Sequence, residues 1–299
     1  MFSISFTRIR SGLKFRTKVI IKYFISVLFF SFGYKISFHS TDELIISKNL
    51  NETLAKIKIA ENLGHIEKIN NLNFKKFIFN NPQYLKNEIP VLWIIYLLDK
   101  KKNGYFVEFG ACDGLLFSNT LLLEKSFGWK GILAEPNRTY QKQIRKNRRA
   151  IIDTRAVWSK TKDYVEFAEV SAGGLSGIYS NFRDVKNPSN KRESLGLKRY
   201  IVETISLNDL LAQHSAPDNF DLLSIDTEGS EFQIFENFNL NKYHPKIILI
   251  EFDGSKHLEI KFKNICDRYG YKSIGFKLKD PRNLWFVSDT ILNLNKKIR

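Results

Sequence analysis

From Tyr105 onward the chain alternates short apolar runs with amphipathic stretches. YFVEFG is followed by SNTLLLEKSF, GILAEP by RTYQKQIRKNR, and AIIDTRAVW by DYVEFAEV. Further on, NFDLLSID precedes EFQIFENF and PKIILIEFD precedes HLEIKFKNICDRYG; YKSIGFKL and NLWFVS, joined through KDPRN, end the pattern. Apolar runs this short suit strands buried on both faces, and the amphipathic stretches suit helices that cover them. The pattern predicts an α/β fold with a mostly parallel sheet, its last two strands forming an antiparallel hairpin.

Upstream the pattern is helical. Thr41 and Asp42 are placed to cap a helix over residues 42–70, with Leu44, Ile45, Leu50, Leu54, Ile57 and Ile59 as its apolar set. NNPQY, residues 80–84, reads as a turn, and IPVLWIIYLLDK as a short buried helix. Residues 171–199 are polar, Gly-rich and basic. A stretch of that length is too long for a connector in a compact domain and suits a lid or binding loop. Three regions result: a basic and apolar segment over 1–40, a helical extension over 41–103, and an α/β domain over 104–299.

Composition narrows the function. Cys112 and Cys266 cannot build a disulfide framework and fit a reducing compartment. The five His residues are scattered without metal-ligand spacing, so no metal site is expected. The net charge of +16 points to an anionic partner, but residues 1–40 hold seven Lys and Arg and no acid. Much of the excess therefore belongs to the terminal segment, and specific nucleic-acid binding is not expected.

That segment carries an apolar run, VIIKYFISVLFFSFGY over residues 19–34, interrupted by Lys22. A membrane-spanning helix needs roughly 20 apolar residues. Three readings stay open: an interfacial anchor that rests on a membrane surface through residues 1–34, an organellar presequence, or a helix packed on the domain. A cytoplasmic domain, with or without that surface contact, is the expected location.

The chemistry gathers at strand ends. In an open parallel sheet, ligands bind beyond the carboxyl ends of the strands where the strand order reverses. The first strand ends at Glu108 and Gly110, Asp113-Gly114 makes a tight turn, and the next helix begins near Ser118-Asn119 with unpaired N–H groups. The second strand ends at Glu135, where a carboxylate can accept two hydrogen bonds from a ribose diol. SIDTEGSEF puts Asp226, Glu228 and Glu231 after another strand, and IILIEFD adds Glu251 and Asp253. Acids at four strand ends form a negative rim suited to a cationic cofactor. The G-x-G-x-x-G pattern of a dinucleotide site is absent, because Cys112 stands at its second glycine.

GYFVEFGACDG, SNTLLLEKSFGWKGILAEPN, NRRAIIDTRAVW, VETISLNDLL and LLSIDTEGSEFQIFENF, taken in order, resemble the FkbM-type S-adenosylmethionine-dependent methyltransferases from about Gly104 to Ser288. The resemblance implies a Rossmann-like class I methyltransferase fold with a seven-stranded sheet, and S-adenosylmethionine as cofactor. It implies that Glu108, Gly110 and Asp113, with Gly114 and Asn119 in the same loop, meet the methionine portion. Glu135 would hold the ribose, Asn137, Ala156 and Val157 would border the adenine, and Asp226 and Glu228 would sit beside the methyl group and acceptor. One departure is IPVLWIIY, which stands where a polar Gln-Asp pair is expected and leaves the contribution of that helix open.

The implied reaction is methylation of a hydroxyl on a sugar, lipid or polyketide-like acceptor. Asp226 would orient or deprotonate that hydroxyl, Glu228 would help build the pocket, and no metal is required. The alternatives are a membrane-tethered protein that uses the fold for interaction without catalysis, and a nicotinamide or nucleotide-sugar enzyme, which the missing glycine pattern opposes.

Overall fold

The structure, a computed structural model, describes residues 5–7, 37–39, 72–84, 89–116, 118–170, 174–181, 196–274 and 283–294. The chain divides into two compact units, Met1–Ile59 and Ala60–Arg299. In the first, strand β1 (Ser5–Thr7) pairs in parallel with β2 (Ser37–His39). The apolar run over 19–34 and the helix expected over 42–70 lie outside the described residues. No helix among the described residues is long and apolar enough to cross a membrane.

The second unit opens with α1 (Leu72–Phe79), a 3₁₀ turn at Pro82–Tyr84, and α2 (Ile89–Leu97). Helix α2 is apolar around its whole circumference, as a helix enclosed on all sides must be. Seven of its nine residues are buried, and Trp93 meets Phe74 of α1 edge to face at 4.8 Å. The sequence expectation of a turn followed by a buried helix matches.

The alternating region then runs β3 (Tyr105–Phe109), α3 (Leu121–Phe127), β4 (Lys130–Ala134), α4 (Gln141–Asn147), β5 (Ile151–Asp153), β6 (Ala156–Trp158), β7 (Tyr164–Glu169), β8 (Gly177–Ile178) and β9 (Lys198–Ser206). It continues with α5 (Leu207–Gln213), β10 (Leu222–Ile225), α6 (Glu231–Phe235), β11 (Ile247–Glu251), α7 (Lys256–Arg268), β12 (Tyr271–Ser273), β13 (Asn283–Ser288) and α8 (Asp289–Leu294). Seven strands form the main sheet in the order β5-β4-β3-β10-β11-β13-β12, and β13 alone runs opposite in direction to the other six. Strands β12 and β13 do pair antiparallel as expected, but β13 is inserted between β12 and β11.

The central strands are apolar for the reason given by the fold: helices cover both faces. All four residues of β10 are buried, as are four of the five in each of β3, β4 and β11. Helix α7 presents Phe262 and Cys266 to this core and leaves its other face polar. Its N-terminus is capped by Ser255, whose side chain accepts from the Leu258 N–H.

The region from 151 to 206 departs from the expected pattern. AIIDTRAVW is two strands, not one, and only β5 joins the main sheet. Asp153 ends β5 by accepting from the Arg155 N–H at 2.9 Å while its carboxylate pairs with the Arg155 side chain. The chain then enters a second, four-stranded sheet in the order β6-β9-β7-β8. RYIVETIS has a period of two: Val202 and Thr204 are buried while Ile201 and Glu203 are exposed. That is the signature of a strand with one wet face, whereas β7 buries Phe167 and Ala168 on its two faces. Ala156, Phe167, Ile178 and Val202 form its small core.

Candidate active site

The main sheet reverses its strand order between β3 and β10, the position at which a ligand crevice forms beyond the strand ends. A cavity of about 370 Å³ lies there. Four strand ends contribute: Phe109 and Gly110 after β3, Ala134 and Glu135 after β4, Asp226 to Glu228 after β10, and Glu251 at the end of β11. The second sheet supplies a wall through Ala156, Val157 and Phe167, with Gly174 to Ile178 beside them.

Gly110 is needed for a reason other than ligand access. Its φ is +76°, and a Cβ placed there would lie 1.9 Å from the Asp226 carbonyl oxygen. The ends of β3 and β10 therefore touch through a bare backbone, and any side chain would part them. Cys112, two residues on, also has positive φ and lines the cavity. Burial and the surrounding carboxylates push its thiol well above the ordinary range, so it stays neutral.

Glu135 is the best-held acid of the site. It is 4% exposed. One oxygen accepts from the Cys112 N–H and the other from the Asn137 N–H, both at 2.8 Å. Burial pushes its pKa up to about 7 against the pull of these two N–H groups, with the nearby Glu169 carboxylate adding to the rise. Asn137 is buried next to it, donates to Ser176 at 3.1 Å, and so ties the β4 end to the loop before β8. Asn119 lines the cavity and donates to Ser224 of β10 at 3.2 Å.

Three of the residues expected at the cofactor lie elsewhere. Glu108 does not line the cavity. Its carboxylate accepts from Ser118, Thr120 and the Asn119 N–H, and the Arg148 guanidinium lies 3.9 Å away. Burial raises its pKa in opposition to Arg148 and these donors. Asp113 turns back to accept from the N–H groups of Leu115 and Leu116, both at 2.9 Å. Gly114 offers its carbonyl to Arg148 at 3.2 Å. These three residues build the loop between β3 and α3; Gly110, Cys112 and Asn119 carry that loop into the cavity.

Asp226 and Glu228 both line the cavity, as expected, together with Thr227 and Ser230. The turn is closed by Glu231 at the start of α6, which accepts from the N–H groups of Thr227 and Gly229 at 3.0 and 2.9 Å. Glu228 has φ +60°, a conformation that costs a non-glycine residue energy and is found disproportionately at functional sites. Gly177 of β8 packs on this turn so closely that a Cβ would come within 2.9 Å of the Thr227 carbonyl.

Several lining residues were not legible beforehand. Pro90 shows that α2 does reach the site despite its apolar sequence. Phe167, Tyr140, Ser176 and Asn283 also line it. The polar residues around Phe167 recur every third position, at Asp163, Glu166 and Glu169, which does not mark it as an inward strand residue; the others carry no local signal. Among the described residues no cluster of His, Cys, Asp and Glu is arranged to hold a metal ion.

A Rossmann-like sheet with one antiparallel strand near its edge, and an acid-lined cavity at its switch point, defines the methyltransferase class. The chain matches the FkbM methyltransferase domain over residues 108–273, more than half its length, and it belongs to that family. Two solved structures are similar at low identity. A proposed RNA methyltransferase of Pyrococcus horikoshii has 9% identity and a TM-score of 0.32, over 66% of this chain and 81% of that one. A precorrin-6y C5,15-methyltransferase of Geobacter metallireducens has 12% identity and a TM-score of 0.33, over 66% and 85%. Among curated proteins none matches.

Proposed function

We propose that this methyltransferase uses S-adenosylmethionine and methylates a hydroxyl group on a sugar, lipid or polyketide-like acceptor. One observation carries the reading: the buried carboxylate of Glu135, at the end of β4, in the wall of a cavity of about 370 Å³. Cavities of roughly 300–1,000 Å³ are the size of small-molecule sites.

The residues present fit the cofactor. Each Glu135 oxygen is engaged by one N–H, and a carboxylate oxygen can accept a second bond, so both keep capacity for ribose hydroxyls. Ala156, Val157 and the Phe167 ring give an apolar wall of the kind a purine needs, with Asn137 as a polar contact. Asp226, Glu228 and Glu251 line the same cavity with carboxylates, a setting that would favour a sulfonium and an ammonium.

When bound, S-adenosylmethionine supplies a methyl group already activated on a cationic sulfur. The protein's task is then alignment, which can lower a barrier by about 7–11 kcal/mol. Asp226 holds the acceptor hydroxyl in line and receives its proton, a contribution of roughly 10²–10⁴-fold for a general base. Glu228, held by its backbone conformation against Gly177, shapes the acceptor side.

The test is calorimetric titration of the protein with S-adenosylmethionine and S-adenosylhomocysteine, alongside Glu135→Ala and Asp226→Asn. Micromolar binding that weakens at least about tenfold in Glu135→Ala is expected, since a charge-assisted hydrogen bond contributes about 1.5–3 kcal/mol. Asp226→Asn should bind the cofactor and lose turnover. Folded protein that binds neither compound would end the proposal.

A further inference from the structure

The turn Leu115–Leu116 projects two leucines into solvent, at 45% and 46% exposure. Its backbone is already satisfied: both N–H groups donate to the Asp113 carboxylate at 2.9 Å. A turn of this kind can enter an apolar medium without stranding donors.

Apart from Asp113, whose carboxylate accepts from those two N–H groups, the exposed charge that follows along the chain is positive. Between Ser118 and Ile152 every exposed charge is a cation, because the two acids of that stretch, Glu124 and Glu135, are buried. Hydrogen bonds hold the C-terminal end of α4 against the turn. Asn147 at the end of α4 donates to the Asp113 carbonyl at 2.8 Å, and Arg148 to the Gly114 carbonyl at 3.2 Å. Lys125 of α3 reaches the Asn147 carbonyl at 2.9 Å. Lys142, Arg145, Lys146 and Arg149 are exposed on the same helix or just after it.

We propose that this face docks on an anionic bilayer surface, with Leu115 and Leu116 entering the interface and the α4 cations pairing with lipid headgroups. Exposed apolar side chains flanked by Lys and Arg are what interfacial binding requires. A nucleic acid would use the cations but has no use for two aliphatic side chains, since its bases stack on aromatic or guanidinium planes. Leu115 lies three residues after Cys112, which lines the cavity, so docking brings the methyltransferase site to a lipid surface.

The test uses the full chain with Leu116→Cys carrying an environment-sensitive nitrobenzoxadiazole label; the native Cys112 and Cys266 are buried. Vesicles of phosphatidylcholine, with and without phosphatidylglycerol, are added and sedimented. The expected result is co-sedimentation and a blue shift of the label on anionic vesicles only. Removing Arg145, Lys146 and Arg149 together as R145Q/K146Q/R149Q should weaken binding about a hundredfold, roughly fivefold per cation. Three results would overturn the proposal: no sedimentation, sedimentation through another segment with the label unshifted, or binding to an RNA oligonucleotide in preference to vesicles. None of these requires the methyl donor, so the outcome is separable from the calorimetric one.

Discussion

Replacing Arg148 with Met tests the account of how the site loop is held. The guanidinium is fully enclosed and makes five contacts: Glu124 at 3.1 Å, Ser118 at 2.9 Å, Thr120 at 2.8 Å, the Gly114 carbonyl at 3.2 Å, and Glu108 at 3.9 Å. Met preserves most of the volume and removes the charge. Glu108, 2% exposed, then loses its cation, and Glu124, 8% exposed, keeps only the Lys125 ammonium at 3.8 Å. Breaking a buried pair this way costs about 3–5 kcal/mol, because the desolvation of the remaining partner is no longer offset. Against a total stability of about 5–15 kcal/mol this is a large fraction. With a urea slope of about 2 kcal/mol per molar, the unfolding midpoint should fall by about 2 M. The control is Glu108→Gln/Glu124→Gln/Arg148→Met, which removes all three charges and should recover part of the loss. A shift under about 0.5 M in Arg148→Met, or a triple variant less stable than the single one, would refute the reasoning.

Gly110→Ala should fold with a loss of about 1–2 kcal/mol from its left-handed backbone alone, and lose most activity because the Asp226 carbonyl must retreat; urea unfolding and turnover check the two parts separately. Cofactor affinity should rise as pH increases through about 7, since only the ionised Glu135 accepts from both ribose hydroxyls, and titrations at several pH values should show the slope vanish in Glu135→Gln. The same group affects stability with the opposite sense. Its folded pKa lies above the ordinary 4.5, so its contribution is present below that value and is lost as pH rises through about 7. Glu228→Gly should unfold at slightly higher urea by relieving a positive φ while turnover falls, and a variant that loses stability instead would contradict the strain reading.

What the sequence could and could not show follows from what each signal measures. The central strands of the main sheet were legible because strands covered on both faces must be apolar throughout, and β3, β4, β10 and β11 nearly are. Acids after such runs mark strand ends, and that placed Glu135, Asp226 and Glu251 at the cavity. The same signal misplaced the role of Glu108. It sits inside a strand, where successive side chains point to opposite faces, and its partner is an arginine forty residues later. Nothing local separates Arg148, fully buried, from its exposed neighbour Arg149; only the tertiary position of Glu108 and Glu124 decides which one is enclosed. The second sheet was missed for a related reason. The polar residues of DYVEFAEV recur every third position, a spacing that reads as an amphipathic helix, and so short a stretch gives helix and strand periods few positions on which to differ. That sheet supplies the wall opposite the strand ends through Phe167 and Ile178, and β9, its longest strand, pairs with both β6 and β7. Residues that bind chemistry announce themselves by type; residues that shape a cavity do so only through pairing, which a single sequence leaves unspecified.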